Sequence, residues 1–147
     1  MRPTAYGSAV MAKVHSKDTK PEMMVRSLVH SMGYRFRLHR ANLPGRPDLV
    51  FPRFWCVILV HGCFWHGHSC PNGTRRPKSN RRFWVRKIED NQKRDARCMR
   101  ELRKLGWRIL TIWECQLKNM DRVAGRIVKF LEMRSVISMT LSGGKKK

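Results

Sequence analysis

Asp48-Leu49-Val50-Phe51-Pro52-Arg53-Phe54-Trp55-Cys56-Val57-Ile58-Leu59-Val60 reads as a β-hairpin: two apolar runs, Asp48 to Phe51 and Trp55 to Val60, with Pro52-Arg53 in the connection. The second run is apolar throughout, so both of its faces are covered and it belongs in the middle of a sheet. Upstream, Tyr34-Arg35-Phe36-Arg37-Leu38-His39-Arg40 alternates apolar and basic residues, the period of a strand with one buried and one positive face. A turn at Pro44-Gly45 joins it to the hairpin. Downstream, Trp107 to Trp113 forms a further strand.

Helices fill the gaps. Thr19 as N-cap, Pro21 in the first turn and Glu22 three residues on form a capping box. The helix they open runs to about Met32, with Val25, Leu28 and Val29 inward and Gly33 as its stop. From about Arg81 to Leu105 the spacing of Trp84, Ile88, Cys98, Leu102 and Leu105 is helical, and Gly106 ends it. Asn91 and Asp95 interrupt that apolar stripe, which is costly unless they are satisfied or used. Val123, Ile127, Phe130 and Leu131 mark a last helix. The order helix, three strands, helix, strand, helix describes one α/β layer structure without internal repeats. Residues 1–10 lack periodicity and are expected to be disordered, 11–133 to form the domain, and 134–147 to be a mobile basic tail.

The chain has 147 residues, enough for one core without disulfide staples. Its 32 Lys and Arg against 10 Asp and Glu give a net charge of +22, too lopsided for salt-bridged faces and suited to a polyanion such as nucleic acid. No apolar run approaches a membrane span, and the N-terminus lacks a signal-peptide core. A cytoplasmic location, no membrane partner and a monomer are expected. Five cysteines in a reducing compartment point to metal binding plus free thiols, with Cys56 and Cys98 as small core residues.

Val60 to Cys70 concentrates the chemistry: two cysteines, three histidines and the Phe64-Trp65 pair within eleven residues. Cys63, His68 and Cys70 are donors that zinc prefers, and Cys115 is the best candidate for a fourth; the alternative is thiols that never meet. Phe64 and Trp65 are either core or an exposed wedge. Asp48, at the start of a strand, is either a turn residue or a ligand for a hard cation. The hairpin would return His61 and His66 toward Asp48, a set suited to phosphodiester hydrolysis: a metal to polarise the phosphoryl group and an imidazole to accept a proton.

Three blocks carry a resemblance: Leu-Pro-Gly-Arg-Pro-Asp at 43 to 48, His-Gly-Cys-Phe-Trp-His at 61 to 66, and Leu-Gly-Trp-Arg-Ile-Leu through Trp-Glu-Cys at 105 to 115. In order and spacing they resemble the very short patch repair (Vsr) DNA mismatch endonucleases, a branch of the restriction-endonuclease-like Pro-Asp nuclease superfamily, from about Met11 to Phe130. The resemblance implies a central mixed sheet flanked by helices, a structural zinc site, and nicking 5′ to the thymine of a T:G mismatch in double-stranded DNA. It further implies that Asp48 ligates magnesium together with the backbone carbonyl of Val60, where the family has threonine. His66 would be the general base, supported by His61 and Glu22. Cys63, His68, Cys70 and Cys115 match the zinc ligands; Gly67 and Ser69 stand where relatives often carry histidine, leaving His68 the clearer ligand. Phe64 and Trp65, with Met11, match the wedge that enters the base stack. Lys87 and Asn91 match residues touching the mismatched pair. The stretch from Met11 through Val14 to Lys17 either follows the duplex or packs as an arm. A nicking enzyme of relaxed specificity and a catalytically weak zinc-containing DNA-binding protein are the alternatives.

Overall fold

The computed structural model describes residues 19–145, with side chains to residue 133. Helix α1 spans Lys20–Ser31, followed by β1 Arg37–Leu38, β2 Leu49–Phe51 and β3 Cys56–His61. Next come a single helical turn, α2 Pro71–Thr74, the long α3 Arg81–Lys104, β4 Arg108–Trp113 and α4 Met120–Lys145. The strands form one sheet in the order β1-β2-β3-β4. β1, β2 and β3 pair antiparallel, whereas β3 and β4 are parallel, so the sheet is mixed as expected.

β3 is central and buried at all six positions. Its alternation assigns Cys56, Ile58 and Val60 to one core with Val25 and Val29 of α1 and Val123, Ile127 and Leu131 of α4. Val57 joins the opposite core with Val50, Leu102 of α3 and Trp107. Helices therefore cover both faces of the sheet, which is why the second hairpin run carries no polar residue before His61.

Several local expectations change. Ladder pairing in the Tyr34 to Arg40 run is confined to Arg37 and Leu38. His39 turns to φ 44°, outside the strand region, and Leu38 is 42% exposed. Tyr34 and Phe36 still pack inward, their rings 6.1 Å from Phe54 and Phe51. Thr19 does cap α1, accepting from the Glu22 N–H at 3.4 Å, but the Glu22 carboxylate is drawn to Arg26 and His39, so Glu22 is not simply half of a capping box. Leu105 is 54% exposed, because α3 ends at Lys104 before it can face the core. The loop after Cys70 contains α2. Helix α4 runs on past Arg134 to Lys145; the run from Ser135 to Leu141 holds no glycine or proline to stop it. Residues 1–10 and the arm with Met11 and Val14 lie outside the described residues. Among the described residues no helix is long and apolar enough to cross a membrane.

Candidate active site and metal cluster

The C-terminal end of β3 gathers the titratable groups. Leu49 pairs with Ile58, so the same register carried two residues further would set Pro47 against Val60. Proline has no N–H to give the Val60 carbonyl. The Val60 N–H is taken by a side chain instead, donating to Asp48 Oδ2 at 2.6 Å. Asp48 is thereby held at the end of the β2–β3 pair, beside a carbonyl to which Pro47 can offer no ladder donor, an all-oxygen arrangement that suits a hard divalent cation. Burial, reinforced by the charge of Glu22 and opposed by the Val60 N–H and Arg26, pushes the Asp48 carboxyl up to about 7. A cation at this place would restore the ionised form.

Glu22 of α1 is 5% exposed and its carboxylate lies near that of Asp48. Its Oε1 lies 3.2 Å from Arg26 Nη2 and 3.3 Å from His39 Nε2, while Arg26 Nη2 lies 2.9 Å from His39 Nε2. Ligand atoms of Glu22, His39 and Asp48 all fall within 4.8 Å of one another.

A second group, His61, His66 and Asp95, is equally tight. His66 Nδ1 lies 2.5 Å from Asp95 Oδ2, and its ring stacks on His61 with centroids 3.9 Å apart and planes 3° from parallel. Burial, then the neighbouring His66, lowers the His61 pKa to about 4 against the pull of Asp95. His61 is therefore neutral near pH 7, and its buried Nδ1 has no hydrogen-bond partner among the described residues.

The third group is Cys63, His68, Cys70 and Cys115, with all four ligand atoms within 4.8 Å. His68 Nδ1 is 3.7 Å from Cys63 Sγ and 3.6 Å from Cys115 Sγ. Tetrahedral zinc at about 2.3 Å from sulfur and about 2.0–2.1 Å from nitrogen sets such neighbours about 3.6 Å apart. Both distances from His68 match that spacing. Burial pushes the Cys63 thiol up to about 12, a cost that a bound cation would remove. His68 also stacks on Trp113 (4.1 Å), whose ring edges both His61 and His66, so this cluster abuts the histidine pair.

Between the clusters, the loop of residues 62–68 is pinned by α3. The Asn91 side-chain amide donates to the Trp65 carbonyl at 2.9 Å, and its Oδ1 accepts from Arg94 at 2.7 Å. Gln92 Nε2 donates to the Gly67 carbonyl at 3.2 Å. Asn91, expected against the mismatched pair, is only 2% exposed, and both ends of its amide are used within the chain. The polar break in the apolar stripe is thus satisfied internally. Lys87, one turn earlier, is half-buried. Phe64 and Trp65 are half-buried too, forming an aromatic cluster with Trp84 and the 55% exposed Phe83.

Asp48 with Glu22, and His61 with His66, fall in two separate groups, and three of their neighbours carried no assignment from the sequence. Asp95 had a signal, a carboxylate on an apolar stripe, with no visible partner. Arg26 and His39 had none: each reads as an ordinary basic residue on a helix or strand.

The fold is that of an endonuclease catalytic domain. It superposes on "Homing Endonuclease I-Bth0305I Catalytic Domain" with a TM-score of 0.56, covering 80% of this chain and 98% of that one at 22% identity. Sequence similarity is more specific. The "DNA mismatch endonuclease Vsr" family model matches residues 3–72. The "Type II nicking enzyme V.XorIIP" of Xanthomonas oryzae pv. oryzae is 50% identical over 123 residues, 84% of this chain and 90% of that protein. The "DNA mismatch endonuclease Vsr" of Escherichia coli is 42% identical over 119 residues, 81% of this chain and 76% of that protein. The chain belongs to the DNA mismatch endonuclease Vsr family.

Proposed function

We propose that this protein nicks double-stranded DNA on the 5′ side of the thymine in a T:G mismatch, by magnesium-dependent hydrolysis on a restriction-endonuclease-like sheet. The carrying observation is the His66–Asp95 pair, set beside neutral His61 at the strand end that also holds Asp48. Asp95 accepts from His66 Nδ1, which leaves Nε2 bare to take a proton from the attacking water. His61, stacked on that ring and uncharged, does not oppose the positive charge His66 then gains. Magnesium held by the Asp48 carboxylate and the Val60 carbonyl supplies, when bound, positive charge to offset that developing on the phosphoryl oxygens. Glu22 supports Asp48 across the site.

Cys63, His68, Cys70 and Cys115 hold a structural zinc that ties the loop of residues 62–68 to the end of β4. Phe64 and Trp65, with Met11, form a wedge whose entry unstacks bases. That cost, a few kcal/mol per step, is smaller at a mismatch, so the wedge favours mismatched sites. Lys87 faces the DNA, while Asn91 serves recognition by holding the backbone of Trp65. Val14, outside the described residues, is a further candidate DNA contact. The protein acts as a monomer in the cytoplasm, concentrated on DNA by its charge of +22.

Incubating the purified protein with magnesium and labelled duplexes carrying each mismatch tests this. Nicking confined to the T:G thymine strand is expected. Equal nicking at several mismatches would replace this function with relaxed specificity, and binding without nicking would leave only a DNA-binding protein.

A further inference from the structure

Little more than one turn of α3 holds three consecutive positions of the loop that carries His66. The Asn91 amide donates to the Trp65 carbonyl, and Asp95 accepts from the His66 ring. Between them, Gln92 Nε2 lies 3.2 Å from the Gly67 carbonyl oxygen and 3.4 Å from that of His66. Both neighbours can only accept, so the Gln92 amide turns its NH2 to the loop, one hydrogen for each carbonyl. That approach depends on what position 67 lacks. Gly67 has φ +62°, in the left-handed region that glycine enters without strain. A Cβ there would stand 2.4 Å from Gln92 Nε2 and 2.9 Å from Cγ2 of the buried Ile88.

Resting on His66 as the general base proposed above, we infer that Gln92 and Gly67 are a matched pair that positions it. The Gln92 amide fixes the backbone on the C-terminal side of His66, while Asp95 fixes its ring. An imidazole tethered at Nδ1 alone can still swing about that contact and carry Nε2 out of line. Clipping the carbonyls of residues 66 and 67 removes this freedom. Both anchors come from one helix, so the direction of Nε2 is set by α3 rather than by the loop. A general base must stand within about 2.6–3.2 Å of the group it deprotonates, so a displacement of about 1 Å costs rate. Gln92 itself is exposed, and a hydrogen bond open to water contributes little to stability. Gln92 is therefore a positioning residue, acting through His66 on the rate of nicking and not on the stability of the fold.

The test measures single-turnover nicking of a labelled T:G duplex in saturating magnesium, with duplex affinity, Tm and zinc content on the same preparations. Gln92→Leu loses both donated hydrogen bonds and should nick about ten- to a hundredfold more slowly, with affinity, Tm and zinc content as in the wild type. Gln92→Glu, whose carboxylate cannot donate, should behave like Gln92→Leu. Gly67→Ala should push the amide off the carbonyls and slow nicking to a similar degree, with a lower Tm from its positive φ. Because both changes break one contact, the Gly67→Ala/Gln92→Leu double variant should be no slower than the slower single variant. An unchanged rate for Gln92→Leu overturns the inference. So does a loss of rate matched by lost affinity, which would make Gln92 a DNA contact, or by lost zinc or Tm, which would make it a prop of the loop. Losses that multiply in the double variant overturn the pairing. Near-normal nicking by His66→Ala instead fails the proposed base itself. If Gly67→Ala does not fold, Gln92→Leu and Gln92→Glu still decide.

Discussion

His66 Nδ1 lies 2.5 Å from Asp95 Oδ2, joining a loop beside β3 to the middle of α3 across 29 residues of chain. The carboxylate can only accept, so it selects the tautomer with the proton on Nδ1 and keeps Nε2 available as a base. Asparagine at position 95 could present its NH2 to Nδ1 and favour the opposite tautomer. Asp95→Asn should therefore lower nicking by about 10² to 10⁴, approaching His66→Ala, with DNA affinity nearly unchanged. Single-turnover rates on a T:G duplex, with affinity measured in parallel, check this. Near-normal nicking by Asp95→Asn would remove Asp95 from the mechanism.

Asp48 and His61 pull stability in opposite directions with pH. The Asp48 carboxyl rises from 3.8 to about 7 on folding, so its contribution is present below about pH 4 and is lost as pH climbs through 7. His61 falls from 6.5 to about 4, so its contribution is present above 6.5 and is lost as pH drops toward 4. The two oppose each other between pH 4 and 6.5, and at pH 8 only the cost of ionised Asp48 remains. Asp48→Asn should thus raise the Tm of the protein without magnesium at pH 8, by an amount on the order of a few kcal/mol of stability, while abolishing nicking. At pH 4 the difference should vanish. A lower Tm for Asp48→Asn at pH 8 would show that the carboxylate is not under strain. Magnesium should raise the wild-type Tm and leave the variant unmoved.

Much of this was legible in the chain. Leu49 to Phe51 and Cys56 to Val60 are apolar runs of strand length, and their hairpin register alone brings Asp48 beside Val60. The zinc candidates sit at readable spacings, and even Cys115, 45 residues beyond Cys70, follows a strand whose parallel pairing returns it to the cluster. What could not be read depends on how helices lie on the sheet. His39 looks like the outer face of a strand until its positive φ ends the ladder. Arg26 looks like a solvated helix residue until α1 packs over the end of β3. Asn91, a DNA contact by resemblance, was readable as a polar break that had to be satisfied or used, but not its hydrogen bond to the Trp65 carbonyl.

The cysteine cluster predicts one zinc per chain. Elemental analysis of protein purified without added metal should find it, and Cys115→Ser should lose most of it together with thermal stability. Because His68 stacks on Trp113, which edges His61 and His66, removing zinc should also slow nicking at saturating magnesium. Fully active, folded protein with zinc near zero would rule the site out.

The most direct measurement is the rate at which Asp48→Ala nicks a labelled T:G duplex in saturating magnesium, with duplex affinity determined on the same preparation. Loss of the metal's carboxylate should abolish detectable nicking, leave affinity within a few-fold of wild type, and match the wild type stripped of magnesium. A well-folded Asp48→Ala protein that nicks the thymine strand at close to the wild-type rate would contradict the assignment of this end of β3 as the active site.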